Sequence, residues 1–273
     1  MTPLNPKQLA DEIVTAYSDR RAIATPSSRD AGFDLATAYA TEAELARLRH
    51  TQGHATVGRK VGYANKAMWR ILELDTVVWA HIYDDTVQYA RDGEARLSIA
   101  RMTAPKIEPE IVFKLKDVRS PFDGGAPDAA SALAACEWIA LGFEIIDCVF
   151  PGWQFQPADF VAAYGLHAAL VVGERRPIET TMIDALPRFT VKLLKNGQLA
   201  AEGSGRNVLR SPAACLAELA VAATRRPHVE PLAGGEIISS GTTTESQFIA
   251  PGESWTAELE GLALPPLTVG IEG

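Results

Sequence analysis

Glu108 and Glu110 are separated by one residue in a segment, residues 105–115, that predicts a β-strand. Because residues i and i+2 of a strand face the same side, the two carboxylates should be neighbours on one surface. Like charges at that distance repel and raise the pKa of one group unless a cation lies between them. Carboxylate oxygens are ligands of hard divalent cations, so the pair fits a metal site. An isolated pair of this kind is nevertheless more often a solvated strand face.

Glu144 and Lys60 are the other polar residues whose positions suggest a buried site. Glu144 lies in one of the most apolar windows of the chain, residues 139–150, and a carboxylate is rarely buried unless it is paired or bound to a metal. Arg59 and Lys60 adjoin in a predicted strand, so one of them should face inward. A lysine near a metal can hold a substrate carboxylate or transfer a proton. The alternatives are that Glu144 pairs with Arg or Lys and that Lys60 faces water.

The elements that would position these residues are helices near the N-terminus, followed mainly by strands. Apolar residues recur at helical spacing in residues 6–23, and Thr41 with Glu44 forms a capping-box pattern that predicts the start of a second helix. Further helices are predicted for residues 129–142 and from Ser211, and strands for residues 105–115, 142–150, 167–174, 189–203 (a hairpin turning at Asn196 and Gly197), 234–244 and 254–262. This order predicts an α+β fold with a mainly helical N-terminal region, residues 1–75, and a β-rich catalytic domain, residues 76–273.

Composition and charge restrict the classes of function. The chain of 273 residues carries 26 Lys and Arg against 34 Asp and Glu, a formal charge of −8. That balance provides no basic field for nucleic acid or for an anionic membrane surface. No stretch reaches the roughly 18 apolar residues of a membrane span and no secretory signal is visible, so a cytoplasmic location is expected. Cys136, Cys148 and Cys215 are widely spaced and predict free thiols.

Four short motifs, in this order, resemble those of one enzyme family. They are Gly-Arg-Lys-Val-Gly at residues 58–62, Ile-Glu-Pro-Glu-Ile at 107–111, Gly-Phe-Glu-Ile-Ile-Asp at 142–147 and Gly-Glu-Ile-Ile-Ser-Ser-Gly-Thr at 235–242. Together they resemble the 2-keto-4-pentenoate hydratase and 4-oxalocrotonate decarboxylase branch of the fumarylacetoacetate hydrolase superfamily, over nearly the whole chain. The resemblance implies a mixed β-sandwich or roll of the superfamily's C-terminal type, with a smaller helical N-terminal part.

The resemblance also implies a metal site. It assigns a divalent cation, Mg²⁺ or Mn²⁺, to Glu108, Glu110 and Glu144. Such a cation would chelate the carboxylate and 2-oxo oxygens of a 2-oxo acid, and its Lewis-acid polarisation of the 2-oxo group would stabilise an enolate.

Lys60 and a short segment of the last motif complete the implied site. Lys60 would act as an acid or base, or hold the substrate carboxylate. The backbone and hydroxyl groups of Ser240, Gly241 and Thr242 would line the same pocket. Members of this family are commonly homo-oligomers, so the expected partners are further copies of the chain and a small 2-oxo acid, with no nucleic acid and no membrane.

Two departures from the family pattern concern the acid–base groups. Where hydratases of this family usually carry an aspartate after the lysine strand, this chain has His81, with Asp84 and Asp85 just beyond. The family's Asp-Asn-Ala-Ser segment is replaced by Ala-Tyr-Gly-Leu at residues 163–166, followed by His167. Because the unperturbed pKa of histidine, about 6.5, suits a base at neutral pH, His81 is a candidate replacement for the aspartate.

The resemblance leaves several functions open. The first is a metal-dependent lyase in aromatic catabolism that hydrates a 2-hydroxy-2,4-dienoate to a 4-hydroxy-2-oxo acid. The alternatives are a decarboxylase of a 4-oxalocrotonate-like 2-oxo diacid and a C–C hydrolase of acylpyruvates, for which His81 would have to activate water. A homologue that kept the fold and lost the chemistry is the remaining hypothesis, and the retained Lys60 and glutamates argue against it because a buried carboxylate triad is costly without a metal.

Overall fold

The computed structural model describes residues 3–122, 125–225 and 230–273, and it contains short helices and two β-sheets. The helices are α1 (Pro6–Ser18), α2 (Pro26–Arg29), α3 (Leu35–Thr51), α4 (Lys66–Trp69), α5 (Ala129–Ala134), α6 (Pro157–Ala162), α7 (Met182–Ala185) and α8 (Pro212–Ala222). The strands are β1 (Thr56–Gly62), β2 (Val78–Tyr83), β3 (Val87–Tyr89), β4 (Glu94–Ser98), β5 (Lys106–Leu115), β6 (Cys136–Ile146), β7 (His167–Val172), β8 (Arg176–Pro177), β9 (Thr190–Lys195), β10 (Gln198–Ser204), β11 (Ile237–Thr242), β12 (Gln247–Phe248), β13 (Ser254–Glu260) and β14 (Leu267–Glu272). The predicted α+β class is confirmed.

Polar side chains cap the two long N-terminal helices. Asn5 accepts hydrogen bonds from two backbone N–H groups of the first turn of α1, which begins with a proline. Asp34 caps α3 by accepting the backbone N–H of Thr37 at 2.8 Å. The capping box predicted at Thr41 is wrong, because Thr41 lies inside α3 and donates its hydroxyl to the Thr37 carbonyl. Asp34 starts the helix earlier because it already satisfies a free N–H group of the first turn.

The larger sheet has the strand order β2-β1-β11-β5-β6-β7-β3, with β12 paired to β5 and β8 to β6. Helix α3 covers its edge at β2. The backbone N–H of Trp79 donates to the Tyr39 hydroxyl, and that of His81 donates to the Glu42 carboxylate, each at 3.1 Å. An edge strand otherwise presents unpaired N–H groups. Side chains of α3 therefore cap free N–H groups along this edge of the sheet.

The smaller sheet has the order β10-β9-β13-β14-β4. The predicted hairpin between β9 and β10 is confirmed. Asn196 and Gly197 connect the two strands with φ angles of 51° and 78°. Positive φ at both positions is typical of the tight turn that matches the twist of paired strands.

Strand β6 replaces most of a predicted helix. The helix predicted for residues 129–142 is wrong beyond Ala134, because α5 ends there and β6 begins at Cys136. Every residue of β6 from Trp138 to Ile146 is buried, and β5 and β7 flank the strand. A strand covered on both faces gives a continuous apolar run, which periodicity alone does not separate from a buried helix.

Strand β1 lies before the predicted domain boundary at residue 75 and pairs with β2 and β11. The larger sheet is therefore built from residues on both sides of that position, and the N-terminal region is not helical throughout. The division into two domains stays a prediction. Within residues 3–122, 125–225 and 230–273, no helix has the length and apolar character needed to cross a membrane.

Candidate metal and substrate site

Three glutamates from two central strands converge on one face of the larger sheet. Glu108 of β5 lies directly opposite Glu144 of β6 in the antiparallel register. Glu110 is two residues further along β5 and points to the same face. A carboxylate oxygen of each lies within 4.8 Å of those of the other two. The structure thus brings together the three glutamates that were predicted as metal ligands.

A bulge in β11 positions Glu110. Ser239 pairs with Val112 and Thr242 pairs with Glu110, so three steps along β11 match two along β5. Gly241, inside the bulge, has a φ of 102°, and a Cβ at this position would lie 2.8 Å from a neighbouring methyl group. Its N–H donates to Glu110 Oε2 at 2.8 Å, and the Ser239 hydroxyl donates to the same oxygen at 2.5 Å. Sequence reasoning missed Ser239, the neighbour of the predicted segment.

Lys60 is the buried cation of this cluster. Its Nζ lies 3.1 Å from Glu144 Oε2, donates to the Gly165 carbonyl at 3.0 Å and sits 4.8 Å from the centroid of the Phe160 ring. A Cβ on Gly165, whose φ is 57°, would lie 2.9 Å from the Lys60 side chain, so glycine leaves the lysine its place. Burial acts to lower the pKa of Lys60, but the nearby glutamates outweigh burial and raise the pKa. The ammonium is therefore charged at neutral pH.

His167 is a member of the cluster that sequence reasoning did not assign to it. Its side chain is 1% exposed, and Nδ1 lies 2.9 Å from Glu144 Oε1. Its Nε2 lies 2.9 Å from the Thr86 hydroxyl, which fixes the ring from the other side. The signal available in the sequence was the position of His167 directly after the departure from the family pattern. The pairing of its strand with β6 could not be read from that position.

Burial and mutual repulsion shift the pKa values of the glutamates in different directions. Burial and the charge of Glu144 raise the pKa of Glu108 to about 7, although Lys60 opposes the shift. Burial and the two neighbouring carboxylates raise the pKa of Glu110 well above its usual range. Burial also acts to raise the pKa of Glu144, but Lys60 and His167 outweigh burial and lower the pKa. Glu144 is thus the carboxylate best able to stay ionised without an added cation.

The donor set fits a divalent cation. Glu110 Oε1 and Glu144 Oε2 are buried and have no hydrogen-bond partner among the described residues, although the second contacts Lys60 as an ion pair. When ionised, the three carboxylates carry three negative charges, of which Lys60 offsets one. A divalent cation would balance the other two and supply the missing partner of both oxygens.

A cavity of about 400 Å³ opens beside Lys60 and Glu108. This volume falls in the range of small-molecule sites. Its wall combines four aromatic side chains with several polar ones. The aromatic residues are Tyr63, Trp153, Phe155 and Phe160, and the polar ones are Asn65, Lys106, Asn207, Thr242 and Ser246.

The predicted substrate-binding segment at residues 240–242 only partly reaches this cavity. Gly241 and Thr242 line it. Ser240 is fully buried, and its hydroxyl has no hydrogen-bond partner in the part of the chain that the structure describes. Substrate contact by Gly241 and Thr242 stays a prediction, whereas Ser240 lies behind the wall.

The structure does not place His81, the predicted replacement for the family's aspartate, beside this acid–base set. The β1–β2 register pairs His81 with Arg59 and Ala80 with Lys60, and paired residues project to the same face. His81 therefore lies on the face opposite to Lys60. There its Nδ1 lies 2.7 Å from a carboxylate oxygen of Glu42, and its ring packs edge-on against Trp79 at 5.3 Å.

Comparison with known proteins gives relatives at moderate identity, although no family model matches the chain. The chain is 28% identical over 247 residues to 2-hydroxyhexa-2,4-dienoate hydratase of Comamonas testosteroni, an alignment that covers 90% of each. It is 30% identical over 216 residues to 2-hydroxypent-2,4-dienoate hydratase of Pseudomonas putida, covering 78% of this chain and 93% of the relative.

Among solved structures, 4-oxalocrotonate decarboxylase from Pseudomonas putida G7, complexed with magnesium and adipate, has the same fold. The match has a TM-score of 0.87 and covers 99% of this chain and 98% of that chain, at 24% sequence identity. Both sheets and the N-terminal helices are therefore shared, and the α+β architecture with a β-rich core is confirmed.

Proposed function

Because the chain belongs to the family of 2-hydroxydienoate hydratases and 4-oxalocrotonate decarboxylases, within the fumarylacetoacetate hydrolase superfamily, we propose that it is a divalent-metal-dependent lyase acting on 2-oxo acids. The reaction we assign first is hydration of a 2-hydroxy-2,4-dienoate to a 4-hydroxy-2-oxo acid, since both relatives compared above are hydratases. The observation that carries the proposal is the convergence of three buried carboxylates on one buried lysine beside a cavity.

Glu108, Glu110 and Glu144 would hold Mg²⁺ or Mn²⁺ in this site. The bound cation would supply Lewis-acid polarisation of the 2-oxo group. Ser239 and the N–H of Gly241 hold the Glu110 carboxylate in a fixed orientation. Such support of a ligand typically tunes metal affinity.

Lys60 is the residue we assign to proton transfer. Its Nζ lies at the junction of the carboxylate cluster and the cavity. The ammonium neutralises charge that develops on an enolate oxygen or donates a proton to the substrate chain. The aromatic wall formed by Phe155, Phe160 and Trp153 keeps water away from the hydrocarbon part of the substrate.

Decarboxylation of a 2-oxo diacid is the second candidate, favoured by the cationic Lys106 in the cavity wall and by the likeness to a decarboxylase solved with the diacid adipate. The acylpyruvate hydrolase alternative loses its support, because the base it required, His81, lies on the other face of the sheet. A homo-oligomeric state and a cytoplasmic location complete the proposal. Light scattering of the purified protein tests the first of these.

Two measurements test the proposed function. Millimolar Mg²⁺ or Mn²⁺ should raise the midpoint of thermal unfolding, because a ligand that binds only the folded state stabilises it by mass action. The metal-loaded protein should consume the dienol absorbance of 2-hydroxypenta-2,4-dienoate and form the 4-hydroxy product. Release of carbon dioxide from 4-oxalocrotonate would instead support the decarboxylase. Absence of a metal effect, of metal in the purified protein and of both reactions would refute the assignment.

A further inference from the structure

Lys106 is a second cation in the cavity, and neither the metal site nor the proton transfer assigned above uses it. It begins β5, two residues before Glu108, so the two side chains project to the same face of the strand. Both residues line the cavity of about 400 Å³. The strand thus presents a carboxylate of the metal site and a lysine at two neighbouring positions of one wall.

Aromatic rings hold the Lys106 ammonium on two sides. Its Nζ lies 4.1 Å from the centroid of Trp153 and 4.5 Å from that of Phe248, whose backbone pairs with Lys106 across the β5–β12 ladder. Ring faces attract a cation within about 6 Å. Phe248 is 60% exposed and is not part of the cavity wall, whereas Trp153 is, so the ammonium lies at the end of the cavity nearest the protein surface.

The ammonium has no anionic partner of its own. In the described residues 3–122, 125–225 and 230–273, no carboxylate lies within ion-pair distance (4.0 Å) of Lys106. Lys60, the other cation of the cavity wall, is already paired with Glu144. The amide of Asn207 is committed to the Thr243 carbonyl at 2.7 Å. Lys106 is therefore the cation of this wall that a ligand can use without breaking an ion pair.

Trp153 adds a second unused donor at the same end. Its Nε1 is buried and has no hydrogen-bond partner among the described residues. The indole lines the cavity and contacts the Lys106 ammonium through its ring. A buried indole N–H usually has a partner, so this one is a vacant donor next to a cation. A cation beside an N–H group suits a carboxylate.

The spacing of these groups from the metal site suits a short diacid. A two-residue step along a strand is about 6.7 Å, and an extended chain of six carbon atoms spans a comparable length. We propose that Lys106, with Trp153, binds a second carboxylate at the end of the substrate remote from the three glutamates, so that the enzyme prefers dicarboxylic to monocarboxylic 2-oxo acids. This inference rests on the proposed function and names the substrate class for it.

Binding of two unreactive acids to the Mg²⁺-loaded protein tests the proposal directly. Adipate and hexanoate have the same carbon chain and differ in one carboxylate. Isothermal titration should show tighter binding of adipate to the wild-type protein. Lys106→Met keeps an unbranched side chain between the two rings and should weaken adipate binding by roughly 10- to 100-fold, the usual effect of losing a charge-assisted contact, with hexanoate unchanged. Lys106→Arg should retain most of the preference.

A matched control is Lys192→Met, which removes an exposed lysine on β9 of the other sheet and should change neither affinity. Where the protein turns over 4-oxalocrotonate, its kcat/KM for that diacid, compared among the four proteins, should fall most in Lys106→Met. Adipate that binds wild type no tighter than hexanoate overturns the proposal. So does an equal loss of both acids in Lys106→Met, which would place the common carboxylate at Lys106. If metal-dependent turnover persists in either case, the proposed function stands while this inference fails. A wild-type protein that neither binds metal nor turns over substrate would contradict both the proposed function and this inference.

Discussion

Strand β1 directs two adjacent cations into two buried carboxylate clusters on opposite faces of the same sheet. The Lys60 face comprises Lys60, Glu108, Glu110, Glu144 and His167. The Arg59 face comprises Arg59, Glu42, His81 and Glu236. Arg59 and Lys60 are each 2% exposed, so the prediction that one of them faces inward understated the burial of the strand.

The two faces differ in how their charges are matched. On the Arg59 face, Arg59 lies 3.2 Å from Glu236 and stacks over the Trp79 ring at 4.3 Å, while Glu42 contacts His81. Each carboxylate there has a basic side chain as its neighbour.

On the Lys60 face, three carboxylates share one lysine. Burial, together with the charge of Glu144, raises the pKa of Glu108 to about 7, although Lys60 opposes the shift. Buried like charges are costly without a further cation. Both clusters are buried and polar, but the Lys60 face has an excess of acid and borders the cavity, which is why we propose it as the functional site.

The largest expected effect concerns Glu108→Gln, which removes a charge from the Lys60 face without changing the shape of the side chain. Turnover should fall by roughly 1000-fold or more, because metal Lewis acidity contributes several kcal/mol to catalysis. The metal-free protein should stay folded, since the substitution relieves repulsion among buried carboxylates. Steady-state kinetics and thermal melts with and without Mg²⁺ measure both effects.

The matched control for that experiment is Glu42→Gln on the Arg59 face. It removes a buried carboxylate of equal size, and turnover should remain within a few-fold of the wild type while the melting temperature falls. Similar activity losses in the two variants would erase the distinction between the faces. Activity retained in Glu108→Gln would refute the assignment of this glutamate as a metal ligand.

His167→Ala should have the next largest effect. Nδ1 of His167 holds one oxygen of Glu144, and removal of a group that orients a metal ligand typically costs 10- to 100-fold in metal affinity. Titration with Mn²⁺ followed by electron paramagnetic resonance measures this directly, without reference to turnover. His167→Asn, whose amide can donate to the same oxygen, should recover part of the loss. Unchanged affinity in the alanine variant would show that Lys60 and the strand register suffice to orient Glu144.

Features of the site that depend on nearby residues could be predicted from the sequence, whereas features that depend on the pairing of distant strands could not. The pairing of Glu108 with Glu110 follows from strand periodicity alone, and the burial of Glu144 follows from its apolar surroundings. The contact of His167 with Glu144 depends instead on the β6–β7 pairing, which is shifted between Ile145 and Ile146. No property of the local sequence encodes that register.

The dependence on strand pairing also explains why residues 136–146 and the position of His81 differ from what the sequence led us to expect. Residues 136–146 form a central strand because β5 and β7 pair with its two edges and both of its faces are buried, whereas their apolar run also fits a buried helix. His81 matched the position of a family aspartate in order along the chain. Its face is set by the β1–β2 register, which places Arg59 rather than Lys60 opposite it. Residue type and order predicted the family, while the face of the sheet on which each side chain lies depends on how the strands pair.

His81→Ala sharpens the comparison from the Arg59 face. The variant removes the ring that contacts Glu42 but keeps the backbone N–H that also donates to this carboxylate. A buried acceptor that loses a partner costs about 2 kcal/mol, so the free energy of unfolding should fall by that amount in urea titrations. Turnover should stay within a few-fold of the wild type. A drop of about 100-fold, as expected for a general base, would instead return His81 to the catalytic set.

The smallest expected effect is the acid sensitivity of the Arg59 face. Burial acts to raise the pKa of Glu42, but His81, followed by Arg59, outweighs burial and lowers the pKa below its ordinary 4.5. A carboxyl whose pKa is lower in the folded state adds stability above its unfolded pKa, and that stability is lost as the pH falls through the folded value. The wild-type free energy of unfolding should therefore decrease below about pH 4.5 more steeply than that of Glu42→Gln. Urea titrations of both proteins between pH 7 and pH 3 measure the difference, which separates the contribution of Glu42 from that of the surface carboxylates. Parallel curves of unfolding free energy against pH would mean that the partners of Glu42 do not stabilise its ionised form. The two faces of β1 would then differ in the number of charges but not in how well each carboxylate is paired.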